Sequence, residues 1–170
     1  MHSISETEEK FMGIVRRLKA EGRTLSAMES CTGGLIASLM TDISGASEVF
    51  PGGFVTYSNR AKIKQGVKDS LIGTFGVYSP ETAEFMAKAA ASGMDTDLGV
   101  GITGSLGRKD PANPDSIPGV AYAAVYDAKT GETVQGKLTL EPQEDTPENR
   151  RQAKLSMADL AADLILKTLE

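Results

Sequence analysis

Short apolar runs alternate with helical segments over the first two thirds of the chain, and this alternation constrains the fold more than any other feature. The runs Thr24–Met28, Phe54–Ser58 and Leu98–Thr103 have the length and composition of buried strands. Two later runs, Val120–Tyr126 and Thr133–Leu140, are joined by a short turn with a glycine near its end, which predicts a β-hairpin. Strands that alternate with helices and then form a hairpin predict a three-layer α/β sandwich, with a mixed sheet and helices on both faces.

Helix start signals support this interpretation. Ser79-Pro80-Glu81 and Thr146-Pro147-Glu148 each place a capping hydroxyl, a proline at the first helical position and an acid in the first turn. A first helix is predicted from Ser5 to Glu21, and Asn59 is predicted to cap the helical stretch Arg60–Gln65. The length of 170 residues suits one domain, so we expect residues 1–170 to form a single unit.

Composition excludes several classes of function. The net charge of -5 argues against a general nucleic-acid binder, which needs a basic face to neutralise phosphates. The single histidine, His2, lies at the terminus, which argues against histidine-dependent nucleophilic catalysis and histidine-rich metal sites. The single cysteine, Cys31, allows no internal disulfide. No signal peptide or membrane span is recognisable, so we expect a soluble, cytoplasmic protein without a membrane partner.

The stretch Gly99-Val100-Gly101-Ile102-Thr103-Gly104 fits the G-x-G-x-x-G pattern of dinucleotide-binding proteins. That fingerprint has to follow a strand and begin a helix. Here the first two glycines fall inside a predicted strand, and a proline-rich loop comes next. We therefore interpret Gly99 and Gly101 as positions where a helix approaches the sheet closely, and expect Gly104 to shape a ligand loop.

The segment Glu29-Ser30-Cys31-Thr32-Gly33-Gly34 is the most informative part of the sequence for function. Two hydroxyl residues and two glycines stand where a strand turns into a helix. Free N–H groups at a helix start attract anions or stabilise an oxyanion, and glycine lets a substrate approach the backbone. The alternative is that Ser30 or Thr32 merely caps the helix.

A second segment supplies a lysine and a tyrosine across the next strand-to-helix break, at Tyr57 and Lys62. Without a usable histidine, a serine nucleophile needs another base, and a lysine can serve where burial or a nearby cation lowers its pKa. A tyrosine hydroxyl can relay that proton or position the leaving group. The alternative for Lys62 is a solvated helix lysine, the usual place for this residue type.

Together these motifs resemble, in order and spacing, the signatures of the CinA C-terminal domain family. The motifs are Glu29–Gly34, Gly53–Asn59 with Ala61-Lys62, Gly76 with Ser79, and Ile102-Thr103-Gly104. The resemblance implies an α/β sandwich that forms homo-oligomers and deamidates nicotinamide mononucleotide (NMN) to nicotinic acid mononucleotide and ammonia. It also implies a serine–lysine mechanism without metal or cofactor. Members occur alone or behind a second domain associated with competence, and we expect this sequence to be the C-terminal domain alone.

Residue roles follow from the same resemblance. Ser30 is implied as the nucleophile, Lys62 as the base and Tyr57 as an assisting group, with Cys31 as the rival nucleophile. The other implied substrate-binding positions are Cys31, Thr32, Gly33 and Gly34 for the oxyanion or the phosphate, Thr103 and Gly104 for the nucleotide, and Arg150 or Arg151 for the phosphate. The two arginines would act within the subunit or across a subunit contact, unless they are solvated helix residues.

One loop departs from the family pattern. After Gly104 the family continues with Ile-Ala-Gly-Pro, whereas this chain continues with Ser105-Leu106-Gly107-Arg108, and the difference extends over Ser105–Gly119. Tyr78 stands where a small aliphatic residue is usual. Arg108 and Lys109 supply either a new anion contact or solvated loop charges. Two further hypotheses therefore remain: a catalytically weak nucleotide-binding module, and a protein-interaction domain linked to competence or DNA damage.

Overall fold

A computed structural model describes residues 4–170, with side chains described from residue 6 onward. His2 and the side chain of Ser5 lie outside these described residues. The helices are α1 (Ile4–Glu21), α2 (Leu35–Thr41), α3 (Asn59–Lys64), α4 (Asp69–Phe75), α5 (Pro80–Met94) and α6 (Pro147–Thr168), with a short 3-10 helix at Ala46–Glu48. The strands are β1 (Leu25–Glu29), β2 (Gly53–Val55), β3 (Leu98–Ser105), β4 (Val120–Asp127) and β5 (Thr133–Thr139).

The five strands form one mixed sheet in the order β2-β1-β3-β4-β5. Strand β1 is parallel to both β2 and β3, whereas β3, β4 and β5 pair in antiparallel fashion. The predicted mixed sheet and its carboxy-terminal hairpin are therefore confirmed.

Helices cover both faces of the sheet, as predicted. On one face α1, α2 and α6 enclose the main core, which contains Phe11, Met40 and Met157. On the other face α5 lies across β1, β3 and β4, with α4 beside it. Among the helices of residues 4–170, none combines the length and apolar character needed to traverse a lipid bilayer.

The close approach of α5 to β3 depends on Gly99 and Gly101, the first two glycines of the G-x-G-x-x-G stretch. A Cβ added at Gly99 would overlap the carbonyl oxygen of Ala87, and one at Gly101 would overlap that of Ala83. Both glycines lie inside β3, and no helix begins after them. The interpretation of these glycines as packing positions is confirmed.

The carboxyl end of β1 is the point where the chain changes direction in the sheet. From β1 the chain passes through α2, on one face, to β2, and then through α5, on the other face, to β3. Helices that leave to opposite faces open a crevice at the ends of the parallel strands, which is where ligands bind in such sheets. Ser30 is the first residue after β1 and therefore lies at this crevice.

Some predicted boundaries are wrong, for physical reasons that the structure supplies. Strand β3 extends to Ser105 because its pairing with β4 continues to that residue, so Thr103 lies inside the strand. Strand β2 stops at Val55. The cap of α3 is Ser58 and not the predicted Asn59, which is the first residue of the helix, because the Ser58 hydroxyl accepts the N–H of Ala61 at 3.1 Å. Helix α4 was not predicted at all.

Candidate active site

Two segments that are distant in the sequence bring a serine and a lysine into direct contact. Lys62 lies in α3, and its side chain is almost completely buried, with 1% of its surface exposed. Its Nζ lies 3.0 Å from the Ser30 Oγ and donates a hydrogen bond of 2.8 Å to the carbonyl oxygen of Thr56. This contact excludes the alternative of a solvated lysine and places an amine where it can exchange a proton with the Ser30 hydroxyl.

Burial changes the proton affinity of this lysine. Removing the ammonium from water lowers the pKa of Lys62 from 10.5 to about 8, although Cys31 and the carboxylate of Asp110 act in the opposite direction. With such a pKa, about one Lys62 side chain in ten is a neutral amine at pH 7. A neutral amine can accept the Ser30 proton, which an ordinary surface lysine rarely does.

Cys31, the rival nucleophile, is the next residue along the chain. Its side chain is buried, and burial raises the pKa of the thiol to about 12, despite the nearby Lys62. Because the thiolate is the nucleophilic form of cysteine, a thiol with this pKa is unreactive at neutral pH. The electrostatics therefore favour Ser30 as the nucleophile.

Glu29, the residue before Ser30, holds the turn that carries Ser30. Its carboxylate is buried and accepts hydrogen bonds from the Thr32 hydroxyl and from the N–H groups of Gly34, Ile36 and Ala37. It thus caps α2 from inside the protein. This role of Glu29 is not among the predictions from the sequence, although an acid just before a helix start is a recognisable capping signal.

This capping decides which backbone groups remain for a ligand. The N–H of Gly34 is occupied by Glu29, and that of Gly33 donates to the carbonyl oxygen of Ser30 at 3.0 Å. The N–H groups of Cys31 and Thr32 donate to no other residue among those described. These two groups directly follow Ser30, and free backbone N–H groups of this kind can donate to a ligand oxygen.

A cavity of about 740 Å³ lies in front of Ser30 and Cys31, within the range of roughly 300–1,000 Å³ that is usual for small-molecule sites. Its walls come from the start of α3, from the loop between β3 and β4 and from the start of α6. The charged and aromatic residues that line it are Tyr57, Arg60, Tyr78, Arg108, Lys109, Asp110, Asp145 and Arg150.

Tyr57 and Arg150 stand together at the rim of this cavity. Tyr57 is 67% exposed, and its hydroxyl accepts a hydrogen bond of 3.4 Å from Arg150. The guanidinium of Arg150 also donates to Asp145 at 2.9 Å. Among the described residues, no hydrogen bond joins Tyr57 to Ser30 or Lys62, so the structure links the tyrosine to the arginine rather than to the reacting pair.

The predicted positions Thr103 and Arg151 do not line this cavity. Thr103 is fully buried, and its hydroxyl donates to the carbonyl oxygen of Val77 at 2.8 Å, so only its neighbour Gly104 lines the cavity. Arg151 is exposed, pairs with Glu148 at 2.9 Å and lines a separate groove beside Gly33 and Gly34. A role for Arg151 in this cavity is therefore not supported within one subunit.

A polar network in the loop between β3 and β4 is also absent from the predictions. The Tyr78 hydroxyl donates to Asp110 at 2.6 Å, and the Asn113 amide donates to the same carboxylate at 2.7 Å. The side-chain amide of Asn59, at the start of α3, donates to the side-chain amide oxygen (Oδ1) of Asn113 at 3.0 Å. The network thus connects the loop to the helix of Lys62, and nothing in the sequence pattern indicates such distant pairs.

Fold and site together define a class: α/β sandwiches with a buried serine–lysine pair at the carboxyl edge of the sheet. Residues 8–169 match the CinA C-terminal domain, so the chain belongs to the CinA C-terminal domain family. The resemblance seen in the sequence is confirmed.

Individual known proteins of similar sequence or structure agree with this family assignment. A CinA-like protein of Kosmotoga olearia is 41% identical over 128 residues, which are 75% of this chain but only 30% of that protein. The chain thus spans about a third of the length of this relative. The structure of the competence/damage inducible protein CihA from Agrobacterium tumefaciens superposes with a TM-score of 0.84 at 30% identity, covering 96% of this chain and 94% of that one.

A CinA superfamily protein of Escherichia coli shares the fold at 22% identity, with a TM-score of 0.86 over 99% of this chain and 94% of that one. This last likeness shows the fold alone, whereas the match over residues 8–169 shows the family. None of the three names specifies a reaction or a substrate.

Proposed function

We propose that the protein hydrolyses the carboxamide of NMN to give nicotinic acid mononucleotide and ammonia. The observation that carries this proposal is the distance of 3.0 Å between the Lys62 Nζ and the Ser30 Oγ. A buried amine with a pKa of about 8 is a suitable base for a serine hydroxyl near neutral pH. The resemblance to NMN deamidases supplies the substrate, and the cavity is large enough for a small molecule of this kind.

In the first half of the reaction, the Ser30 Oγ bonds to the carboxamide carbon while its proton passes to the neutral Lys62. The N–H groups of Cys31 and Thr32 are suitably free to donate to the oxyanion that forms. The carbon–nitrogen bond then breaks, and Lys62 returns its proton to the departing nitrogen, which leaves as ammonia.

In the second half of the reaction, a water molecule hydrolyses the ester that Ser30 has formed. Lys62 takes a proton from the water as its oxygen bonds to the ester carbon. The bond between that carbon and the Ser30 Oγ breaks, the serine recovers a proton from Lys62, and the carboxylic acid product leaves. The carbonyl oxygen of Thr56 accepts one Nζ hydrogen, which holds the amine in place for both proton transfers.

The rim of the cavity suits the phosphate of the nucleotide. Arg150 is fixed by Asp145 and by Tyr57, and a guanidinium is well matched to phosphate oxygens. In this proposal Tyr57 assists by positioning Arg150. The helix start at α2 is a poorer phosphate site, because the carboxylate of Glu29 already occupies it.

Ammonia release from NMN tests the proposal. We expect Ser30→Ala to reduce the rate at least about a thousandfold, because no acyl-enzyme can form. Lys62→Met, which keeps the buried volume and removes the amine, is expected to act similarly. Lys64→Ala changes an exposed lysine of the same helix and serves as the matched control, with an unchanged rate. Ammonia release that survives in folded Ser30→Ala would contradict the mechanism.

A specific observation favours one second candidate, a pyridine-nucleotide-binding module with weak catalysis. The carboxylate of Asp110 acts on Lys62 and favours its ammonium form, which cannot accept a proton. Saturable binding of NMN without ammonia release, at high enzyme concentration, would support this candidate over the hydrolase.

A further inference from the structure

The carboxylate of Asp110 differs from the other carboxylate in the cavity, that of Asp145. Asp145 forms an ion pair with Arg150 at 2.9 Å. Asp110 instead accepts hydrogen bonds from neutral donors: the Tyr78 hydroxyl, the Asn113 amide and, at 2.9 Å, the N–H of Ala112. Within residues 4–170, no lysine or arginine forms a salt bridge with Asp110. The wall near Ser30 thus carries a carboxylate that forms no ion pair among the described residues, although the amine of Lys62 lies close enough to interact with it electrostatically.

Both members of the Tyr78–Asp110 pair are held in place by the backbone around them. The carbonyl oxygen of Val77 accepts the Thr103 hydroxyl, and Ser79 caps α5, so the chain is fixed on both sides of Tyr78. The N–H of Asp110 donates to the Ser116 hydroxyl at 2.8 Å. The pair is therefore a preorganised feature of the cavity wall, as a recognition site requires.

The chemistry of the pair suits a cation. The half-buried Tyr78 ring lines the cavity, and an aromatic face attracts positive charge. Burial and the hydrogen bond to Asp110 raise the pKa of Tyr78, so the phenol stays protonated and keeps donating to the carboxylate. Arg60 and Arg150 lie on other walls of the cavity, whereas Arg108 and Lys109 directly precede Asp110 in the same loop and, among the described residues, form no salt bridge with it.

We propose that Tyr78 and Asp110 bind the positively charged pyridinium ring of the substrate. The preferred substrate class is then a carboxamide on a quaternary pyridinium ring, rather than the same amide on a neutral ring. This inference rests on the proposed function and deepens it. A pyridinium at this wall and a phosphate at Arg150 together match the opposite charges at the two ends of NMN.

The direct test compares two ligands that differ in the charge of the ring. NMN carries a pyridinium, whereas its reduced dihydropyridine form keeps the carboxamide, ribose and phosphate on a neutral ring. We expect NMN to bind at least about tenfold more tightly, by calorimetry with the Ser30→Ala protein, which prevents turnover. Equal affinity for the two ligands, or no binding of either, would overturn the inference.

Substitutions in the same background assign this preference to the two residues. Asp110→Asn and Tyr78→Leu should each remove most of the tenfold preference by weakening NMN binding, while the affinity for the reduced ligand changes little. Tyr78→Phe keeps the ring and loses the hydrogen bond, so an intermediate preference is expected. Asp115→Asn removes a carboxylate of the same loop that does not line the cavity and should leave the preference intact. A preference that persists in folded Asp110→Asn and Tyr78→Leu would contradict the assignment.

Failure of this inference can be distinguished from failure of the proposed function. Ammonia release by the unsubstituted protein together with equal affinity for the two ligands would overturn the recognition site alone. A charge preference without ammonia release would overturn the hydrolase and leave the recognition site standing.

Discussion

At the scale of single residues, the proposed function predicts that activity depends on pH through the protonation of Lys62. The base has to be neutral, and burial lowers its pKa to about 8, so kcat/KM for NMN should rise with pH and level off above about pH 8. Asp110 raises the pKa of Lys62, so Asp110→Asn should move the rising limb to lower pH. A pH profile of kcat/KM for both proteins measures this, and a shift to higher pH would contradict the electrostatic argument.

Cys31 provides a second prediction at this scale. Its thiol is buried with a pKa of about 12, so we expect Cys31→Ala to retain ammonia release to within about threefold, since its backbone N–H remains in place. Iodoacetamide should modify the folded protein slowly at pH 7.5 and the unfolded protein rapidly. Loss of activity in a correctly folded Cys31→Ala would instead identify the thiol as the nucleophile.

At the scale of secondary-structure elements, the contact between α5 and β3 limits what the sheet tolerates. A Cβ at Gly101 would meet backbone atoms of α5, which cannot rotate away, so Gly101→Ala should lower the free energy of unfolding by about 3 kcal/mol. Gly13→Ala is the matched control, because Gly13 lies within α1 with open space around it and should gain about 0.5–1 kcal/mol. Urea denaturation measures both, and equal effects would contradict the packing argument.

Local signals explain which elements the sequence predicts well. Helices α5 and α6 begin at the predicted prolines, because the preceding Ser79 and Thr146 accept N–H groups three residues ahead. Such capping depends only on neighbouring residues. Helix α4 escapes prediction because it is short and no side chain caps its start. The end of β3 is set by pairing with β4, which is a tertiary contact.

At the scale of the whole molecule, the alternation of elements predicts the layers, and the motifs predict that Ser30 and Lys62 belong to one site. The structure adds what lies between them. Asn59 contacts Asn113 across 54 residues of sequence, and Tyr78 contacts Asp110 across 32. No period or spacing in a single sequence encodes such pairs, so the wall of the cavity could not be predicted.

The cavity draws its two halves from separate stretches of the chain. The serine and lysine belong to the first 62 residues, whereas much of the opposite wall is one connector between adjacent antiparallel strands. Such a connector can be exchanged between homologues without disturbing the elements that anchor it. Under the proposed function, the serine and lysine form the reaction centre and the connector selects the substrate, so grafting another connector onto this scaffold is a direct route to altered substrate choice.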